Sequence, residues 1–371
     1  MGLKTIEGDE AFYFLNKGGS LKGAVLTHVE DFTLAGTEDF LRMILDGIKK
    51  CMCVSKVERN VFRFTGLDIK KKSDGISISM DDYVESLQEV KEIRKASGTE
   101  LLTKLEMKQY RKMIGKINWL AQSTRPDLCY TGLSMAKRNN AATIADLAEL
   151  ERPSHVIFSK IGIKEKLEVV GIGDAPYKCG EKSIGGNMIF IKEADSDRAS
   201  LIYWKTKQID RVTHSSKDAE TLNVSKLVDD AVFLARQLEI LLFGDYKGRI
   251  LVKLFTDSEP TLESIASSKQ VERKLLRMTI KDLKDRLLEG DVSSYSWLST
   301  RDMMADCMTK EMKMPESLED VLLENKLTLN KPYMNEVRNV DGEIRMMNIR
   351  NRKKVEMVDQ DDQERQQGAH F

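Results

Sequence analysis

The segment from about Leu167 to Lys310 limits the fold more than any other. Three apolar runs come first: LEVVGIGDA, IGGNMIFIK and SLIYWKT. A long run with helical spacing follows, SSKDAETLNVSKLVDDAVFLARQLEILL, and then the strand-like RILVKLFTDS. The helical patterns PTLESIA and ERKLLRMTIKDLKDRLLEG, the strand-like VSSYSWLS and a short closing helix, MMADCMTKE, complete it. Three strands, a helix and then alternation of the two imply an α/β unit: a mixed sheet with helices on its faces.

Four acids hold informative positions in this segment. Asp174 follows Val170 and Ile172 at a period of two, so it continues one row of its strand. Asp257 ends the apolar run ILVKLFT. Glu220 heads a series through Val224, Leu227, Ala231, Leu234, Leu238 and Leu241, which points it at the sheet rather than at water. Ser215 and Asp218 have capping-box spacing and set the helix start just before Glu220. Asp306 opens the last short helix. A strand-end acid and a helix-face acid buried without partners are strongly disfavoured. Convergence of the four therefore calls for cations. Oxygen donors with no His or Cys nearby suit Mg²⁺ or Mn²⁺ rather than zinc, and two such ions about 4 Å apart clamp a phosphodiester. The other reading scatters the acids as a helix-dipole partner, a turn residue and surface charges. Pattern alone leaves both open.

Upstream, AFYFLN, KGGS and LKGAVLTHV read as strand, turn and strand, with FTLAG the next strand. Glu30 and Asp31 fall at the tip between two strands, where a metal ion or a solvated turn would offset their repulsion. Thr37 caps a helix with Glu38 and Asp39 in its first turn and Phe40, Leu41, Ile44, Leu45 and Ile48 as its stripe. VFRFTGLDIKK and GISISMDDY read as a hairpin turned at Ser73–Gly75. From Ser97 to about Lys160 the pattern is helical, with Lys104, Lys108, Arg111, Lys112 and Lys116 on its faces as a solvated face or a nucleic-acid contact. After a helix over 318–324 the chain turns polar, and its end, DQDDQERQQGAHF, reads as disordered.

The 59 basic and 59 acidic residues cancel, so a nucleic-acid role must rest on local patches. Five cysteines without a CxxC pair, and four histidines without zinc-ligand spacing to them, fit a reduced intracellular compartment. The N-terminus lacks a basic-then-apolar signal, and no apolar run approaches the roughly 20 residues of a membrane span.

The order of these pieces resembles the Pol polyprotein of copia-type LTR retrotransposons. HVEDF resembles the YVDD-type hairpin of its reverse transcriptase, and YRKMIGKINWLAQSTRPDLCY the stretch after the palm. GDAPYK, KSIGGNMIF, IYWKTKQIDRVTHSSKDAET, FTDSEPTLESI, SSKQVERKLLRMTI and MADCMTK resemble its ribonuclease H domain, in sequence order. The resemblance implies four parts: a partial palm (1–92), a helical thumb or connection (93–162), a ribonuclease H-like domain with a five-stranded mixed sheet (163–312), and a tail largely disordered at its end (313–371). It makes Asp174, Glu220, Asp257 and Asp306 the catalytic, metal-binding acids for two Mg²⁺ or Mn²⁺ ions. The implied activity is hydrolysis of RNA within an RNA–DNA hybrid.

Lys104, Lys108, Arg111, Lys112, Lys269, Arg273 and Lys274 become candidate contacts to a hybrid or template–primer duplex. Glu30 and Asp31 become a remnant polymerase metal site. Glu30 replaces the first Asp of the family pair, and the chain starts only about 25 residues before the hairpin, leaving little room for the palm's other Asp strand. No DNA synthesis is therefore expected. His214, before the long helix, reads as a helix-start residue. No membrane or small-molecule cofactor is expected, and the compartment would be cytoplasmic, nuclear or a retrotransposon particle. Two alternatives stand beside hydrolysis: a non-catalytic relic or co-opted nucleic-acid binder, and a fragment that polymerises only within a complete polyprotein.

Overall fold

The computed structural model describes residues 2–85, 97–144, 156–159, 166–178, 182–269, 271, 273–329 and 335–348. Strands β1 (Lys4–Ile6), β2 (Asp9–Lys17), β3 (Ser20–His28) and β4 (Asp31–Gly36) form an antiparallel sheet in chain order. Gly18 and Gly19 both have positive φ, which lets β2 turn tightly into β3. Helix α1 (Glu38–Cys51) starts where expected. The Thr37 hydroxyl accepts the Phe40 N–H at 3.3 Å, with Glu38 and Asp39 in the first turn. Its Phe40 and Ile44 pack against Leu15 and Val25 of the sheet.

A second antiparallel sheet runs β5 (Val61–Phe64), β6 (Leu67–Lys71), β7 (Gly75–Ser79) and β8 (Val156–Ser159). The β6–β7 hairpin turns at the expected place. Strand β8 corrects the helical reading of Ser97 to Lys160: it pairs with β7 from Gly75↔Ser159 to Ile78↔Val156. Its partner is some eighty residues upstream, and local periodicity carries no trace of that pairing. Helices α2 (Asp81–Glu85), α3 (Lys104–Ser123) and α4 (Cys129–Lys137) lie between. A reciprocal capping box of Thr103 and Glu106 starts α3. Part of the expected helical stretch, 145–155, lies outside the described residues.

The main sheet begins with β9 (Leu167–Asp174), β10 (Ile184–Glu193) and β11 (Ala199–Gln208). Helix α5 (Ser216–Phe243) follows, then β12 (Leu251–Thr256), α6 (Glu259–Ala266), α7 (Lys274–Leu288) and β13 (Ser294–Trp297). After a 3₁₀ segment (Met304–Met308) come α8 (Glu316–Glu324), β14 (Asn335–Val340) and β15 (Glu343–Asn348). The strand order is β11-β10-β9-β12-β13-β14-β15. β9–β12 and β12–β13 are parallel and the other pairs antiparallel, so the sheet is mixed.

Seven strands replace the five expected. The extra pair comes from the segment read as a tail. Asp341 and Gly342 both have positive φ and close the β14–β15 hairpin, while Val337 is fully buried against the rest. The far end, 349–371, lies outside the described residues.

Both faces of the sheet are covered, and every residue of β9 is buried. One face packs Val169, Ile189, Val252 and Leu254 against Val224, Leu227 and Ala231 of α5 and Leu283 and Leu287 of α7. The other packs Val170, Ile172, Met188, Phe190 and Phe255 against Met304, Met308 and Leu318, with Ala121 of α3 and Cys129 of α4. The Trp204 indole N–H donates to the Ala121 carbonyl at 2.7 Å, fastening α3 to β11. At the far end of α5, the Asn16 amide donates to the carbonyls of Leu241 (3.2 Å) and Leu242 (2.9 Å) and ties in the first sheet. Among the described residues no helix is long and apolar enough to cross a membrane.

Candidate active site

Strand register brings the first two acids together. β9 and β12 are parallel, with Ile172 opposite Phe255. Two residues further along lie Asp174, at the end of β9, and Asp257, just past the end of β12, so the two acids leave neighbouring strands about 5 Å apart by sheet geometry. Glu220 arrives from the α5 face, one turn inside the helix. Ser215 caps that helix, its hydroxyl accepting the Asp218 N–H at 3.2 Å. The Ala175 N–H donates to Glu220 Oε1 at 3.1 Å, anchoring the carboxylate just past the end of β9. One carboxylate oxygen from each of Asp174, Glu220 and Asp257 lies within 4.8 Å of the other two.

Asp306 sits in the 3₁₀ segment and is buried, but outside that triad. Lys310, one turn on, joins it to the others. Lys310 Nζ is 2.7 Å from Asp306 Oδ1 and 3.8 Å from Asp174 Oδ2. The Thr309 hydroxyl also donates to Asp174 Oδ2, and the Thr300 hydroxyl donates to Asp257 Oδ2 at 3.3 Å. Glu220 Oε2 is buried and has no hydrogen-bond partner among the described residues.

The electrostatics follow from that crowding. Burial, then the charges of Asp174 and Asp257, pushes the Glu220 carboxyl up to about 9. Burial also pushes Asp174 up to about 7, against the Thr309 bond and the Lys310 charge, with Asp306 and Asp257 adding to the rise. Asp257 is raised by burial and then by Asp306. Burial works against the Lys310 charge, but the Asp306 bond and the surrounding carboxylates together hold its ammonium above the ordinary lysine value.

Residues the sequence reading passed over complete the site. Asn223, one turn after Glu220, donates through Nδ2 to the Asp174 carbonyl at 3.1 Å and to Asn187 Oδ1 at 2.9 Å, locking α5 to β9 and β10. A Cβ on Gly185 would lie 2.2 Å from Asn223 Oδ1, and one on Gly186 2.8 Å from Thr309 Cγ2. The glycine pair of KSIGGNMIF thus lets helix and closing segment approach the sheet. Asn223 at three residues from Glu220, and Lys310 at four from Asp306, were visible as helical neighbours.

The other named residues lie elsewhere. Glu30 and Asp31 are exposed at the β3–β4 tip, beside Val29 at φ +53°. Among the described residues no third Asp, Glu, His or Cys ligand joins them. Lys104, Lys108 and Arg111 line a cleft of about 450 Å³ with Leu102, Met107 and Asn140, and Lys112 is exposed on the same helix. Lys269, between α6 and α7, and Arg273 and Lys274 at the start of α7 are exposed, and Arg273 pairs with the buried Asp218. His214 is exposed before α5, its backbone N–H donating to Asp218 Oδ2 at 2.9 Å, as a helix-start residue would.

No protein-family model matches the sequence. Solved structures of similar shape include LC11-RNase H1 in complex with an RNA/DNA hybrid, at 14% identity and a TM-score of 0.29, covering 41% of this chain and 99% of that one. The N-terminal RNase H domain of a Mycobacterium tuberculosis protein is 17% identical, with a TM-score of 0.29, covering 38% of this chain and 91% of that one. A foamy viral protease-reverse transcriptase in complex with an RNA/DNA hybrid is 13% identical, with a TM-score of 0.23, covering 70% of this chain and 39% of that one.

Proposed function

We propose that the chain is a metal-dependent nuclease and that it cleaves the RNA strand of an RNA–DNA hybrid. One observation carries the metal-dependent part: three carboxylates converge at the strand ends, and one of them, Glu220, has a buried Oε2 without a partner among the described residues. A buried carboxylate oxygen without a donor is costly, and a cation removes that cost. The triad offers hard oxygen ligands only, which fits Mg²⁺ or Mn²⁺. A divalent ion bound there supplies Lewis-acid polarisation of a phosphoryl oxygen and a lowered pKa for an attacking water.

The chain's own residues prepare the site. The Ala175 N–H fixes one Glu220 oxygen and leaves the other, buried, without a donor among the described residues. Thr309 orients Asp174, and Thr300 orients Asp257. Lys310 adds positive charge beside Asp174 and Asp306.

The choice of hybrid rests on the motif order that resembles copia-type ribonucleases H. A hybrid is read through backbone shape and 2′-OH groups, so little sequence preference is expected. The catalytic unit is then 163–312, with the 335–348 hairpin added to its sheet. Lys104, Lys108 and Arg111 in their cleft, with Lys112, Lys269, Arg273 and Lys274, are the proposed backbone contacts. The same cleft supports duplex binding without cleavage as a second reading, with strongly salt-dependent affinity. DNA synthesis is not proposed, because Glu30 takes the place of the first Asp of the family's hairpin pair.

The test is incubation of the full chain with Mg²⁺ and a labelled hybrid. Cleavage by the wild type and not by Asp174→Asn is the expected result. Cleavage no greater than that of the variant refutes hydrolysis, and salt-dependent binding alone would leave the second reading.

A further inference from the structure

Asp174 offers its Oδ2 to two donors of the chain itself, the Thr309 hydroxyl and, at 3.8 Å, the Lys310 ammonium. Asp306 Oδ1 is bonded to the same ammonium at 2.7 Å. The side of the site shared by Asp174 and Asp306 therefore already holds a positive charge. The rest of the cluster has no such bonded cation among the described residues: the Lys310 charge reaches Glu220 and Asp257 only through space, Glu220 Oε2 is buried without a partner there, and the mutually close oxygens belong to Asp174, Glu220 and Asp257. A second divalent ion would have to displace the ammonium from between two carboxylates or sit against it, and like charges a few ångströms apart repel more strongly beside buried Asp174 and Asp306 than in open water.

We propose that Lys310 is a built-in cation held between Asp306 and Asp174, so that the site would take up one divalent ion, on Asp174, Glu220 and Asp257. Asp306 then acts as a positioning residue: it holds the lysine rather than a metal. An ammonium is a compact point charge, and a chain-borne one costs no binding event. It also leaves a fixed positive charge beside the place where phosphate charge develops. The inference rests on the nuclease reading for the identity of the site, but its test counts ions and needs no nucleic acid.

Metal-stripped full chain is titrated with Mn²⁺, and bound ions are counted by calorimetry and by electron paramagnetic resonance. The wild type is expected to bind one ion per chain, and Asp257→Asn to weaken that ion by about tenfold or more. Lys310→Met is expected to admit a second ion, and Lys310→Arg, which keeps the charge, to stay at one. Two ions in the wild type, or one in a folded Lys310→Met, overturn the proposal. If Lys310→Met does not fold, Asp306→Asn decides. Its single ion should bind within about threefold of the wild type, and a loss as large as that of Asp257→Asn overturns the proposal. No ion bound at all overturns the metal-site reading and this inference together, whereas two ions overturn the inference alone.

Discussion

Two regions of this molecule set acids side by side under opposite conditions. At the β3–β4 tip, Glu30 and Asp31 face water. Their repulsion there is about 1 kcal/mol at 4 Å, and no cation is needed. At the ends of β9 and β12, Asp174 and Glu220 are buried and Asp257 half-buried. The same repulsion rises to about 4 kcal/mol at an effective dielectric of 20, and desolvation adds to it. Adjacent acids in a sequence therefore signal a metal only where the fold buries them. In the first region the acids are neighbours in sequence and exposed. In the second they are distant in sequence and gathered by register.

Matched substitutions can break this contrast. Asp174→Asn or Glu220→Gln should reduce hybrid cleavage by about 10²-fold or more, measured with labelled substrate in Mg²⁺. Asp31→Asn should change it by less than about twofold, since an exposed charge outside the triad contributes little. A tenfold loss on Asp31→Asn would abolish the contrast.

Acidity separates the regions next. Glu220, Asp174 and Asp257 have folded values above their unfolded ones, so the metal-free native state binds more protons than the unfolded chain. Their contribution is most favourable below about pH 4 and is lost as pH rises through the folded values, near 7 for Asp174 and near 9 for Glu220. Metal-free protein should melt at a progressively lower temperature from pH 5 to pH 9. Asp174→Asn and Glu220→Gln should each flatten that slope, and an unchanged slope would contradict the burial argument.

Packing gives a smaller effect. Gly186→Ala forces a carbon to within 2.8 Å of Thr309 Cγ2 and 2.9 Å of Met308 Cβ. A cost of about 1–3 kcal/mol is expected, read from denaturant unfolding. The smallest effect belongs to the exposed tip. Val29 is a β-branched residue at φ +53°, so Val29→Asn should stabilise by about 1 kcal/mol.

The sequence made the main sheet legible as far as β13, because each element there has its own period. The phase of Glu220 along its helix and the period-two row ending at Asp174 pointed both acids inward. Asp306 was placed near them; its bond to Lys310 is a local i, i+4 pair that the spacing offered, but its place outside the triad is a tertiary fact. Strand β8 was hidden because its pairing partner lies far upstream. The β14–β15 hairpin was missed for another reason. Its Asp341–Gly342 turn, flanked by Val337, Val340, Ile344 and Met346, is a strong hairpin signal, but the surrounding charge looked like a tail.

The most direct test is the melting temperature of wild type and Glu220→Gln at pH 8, each with and without Mg²⁺. If burial of the Glu220 carboxylate calls for a cation, metal-free Glu220→Gln melts above metal-free wild type, and Mg²⁺ raises the wild type while scarcely moving the variant. A variant that melts below the wild type without metal, or a wild type that Mg²⁺ leaves unmoved, would contradict it.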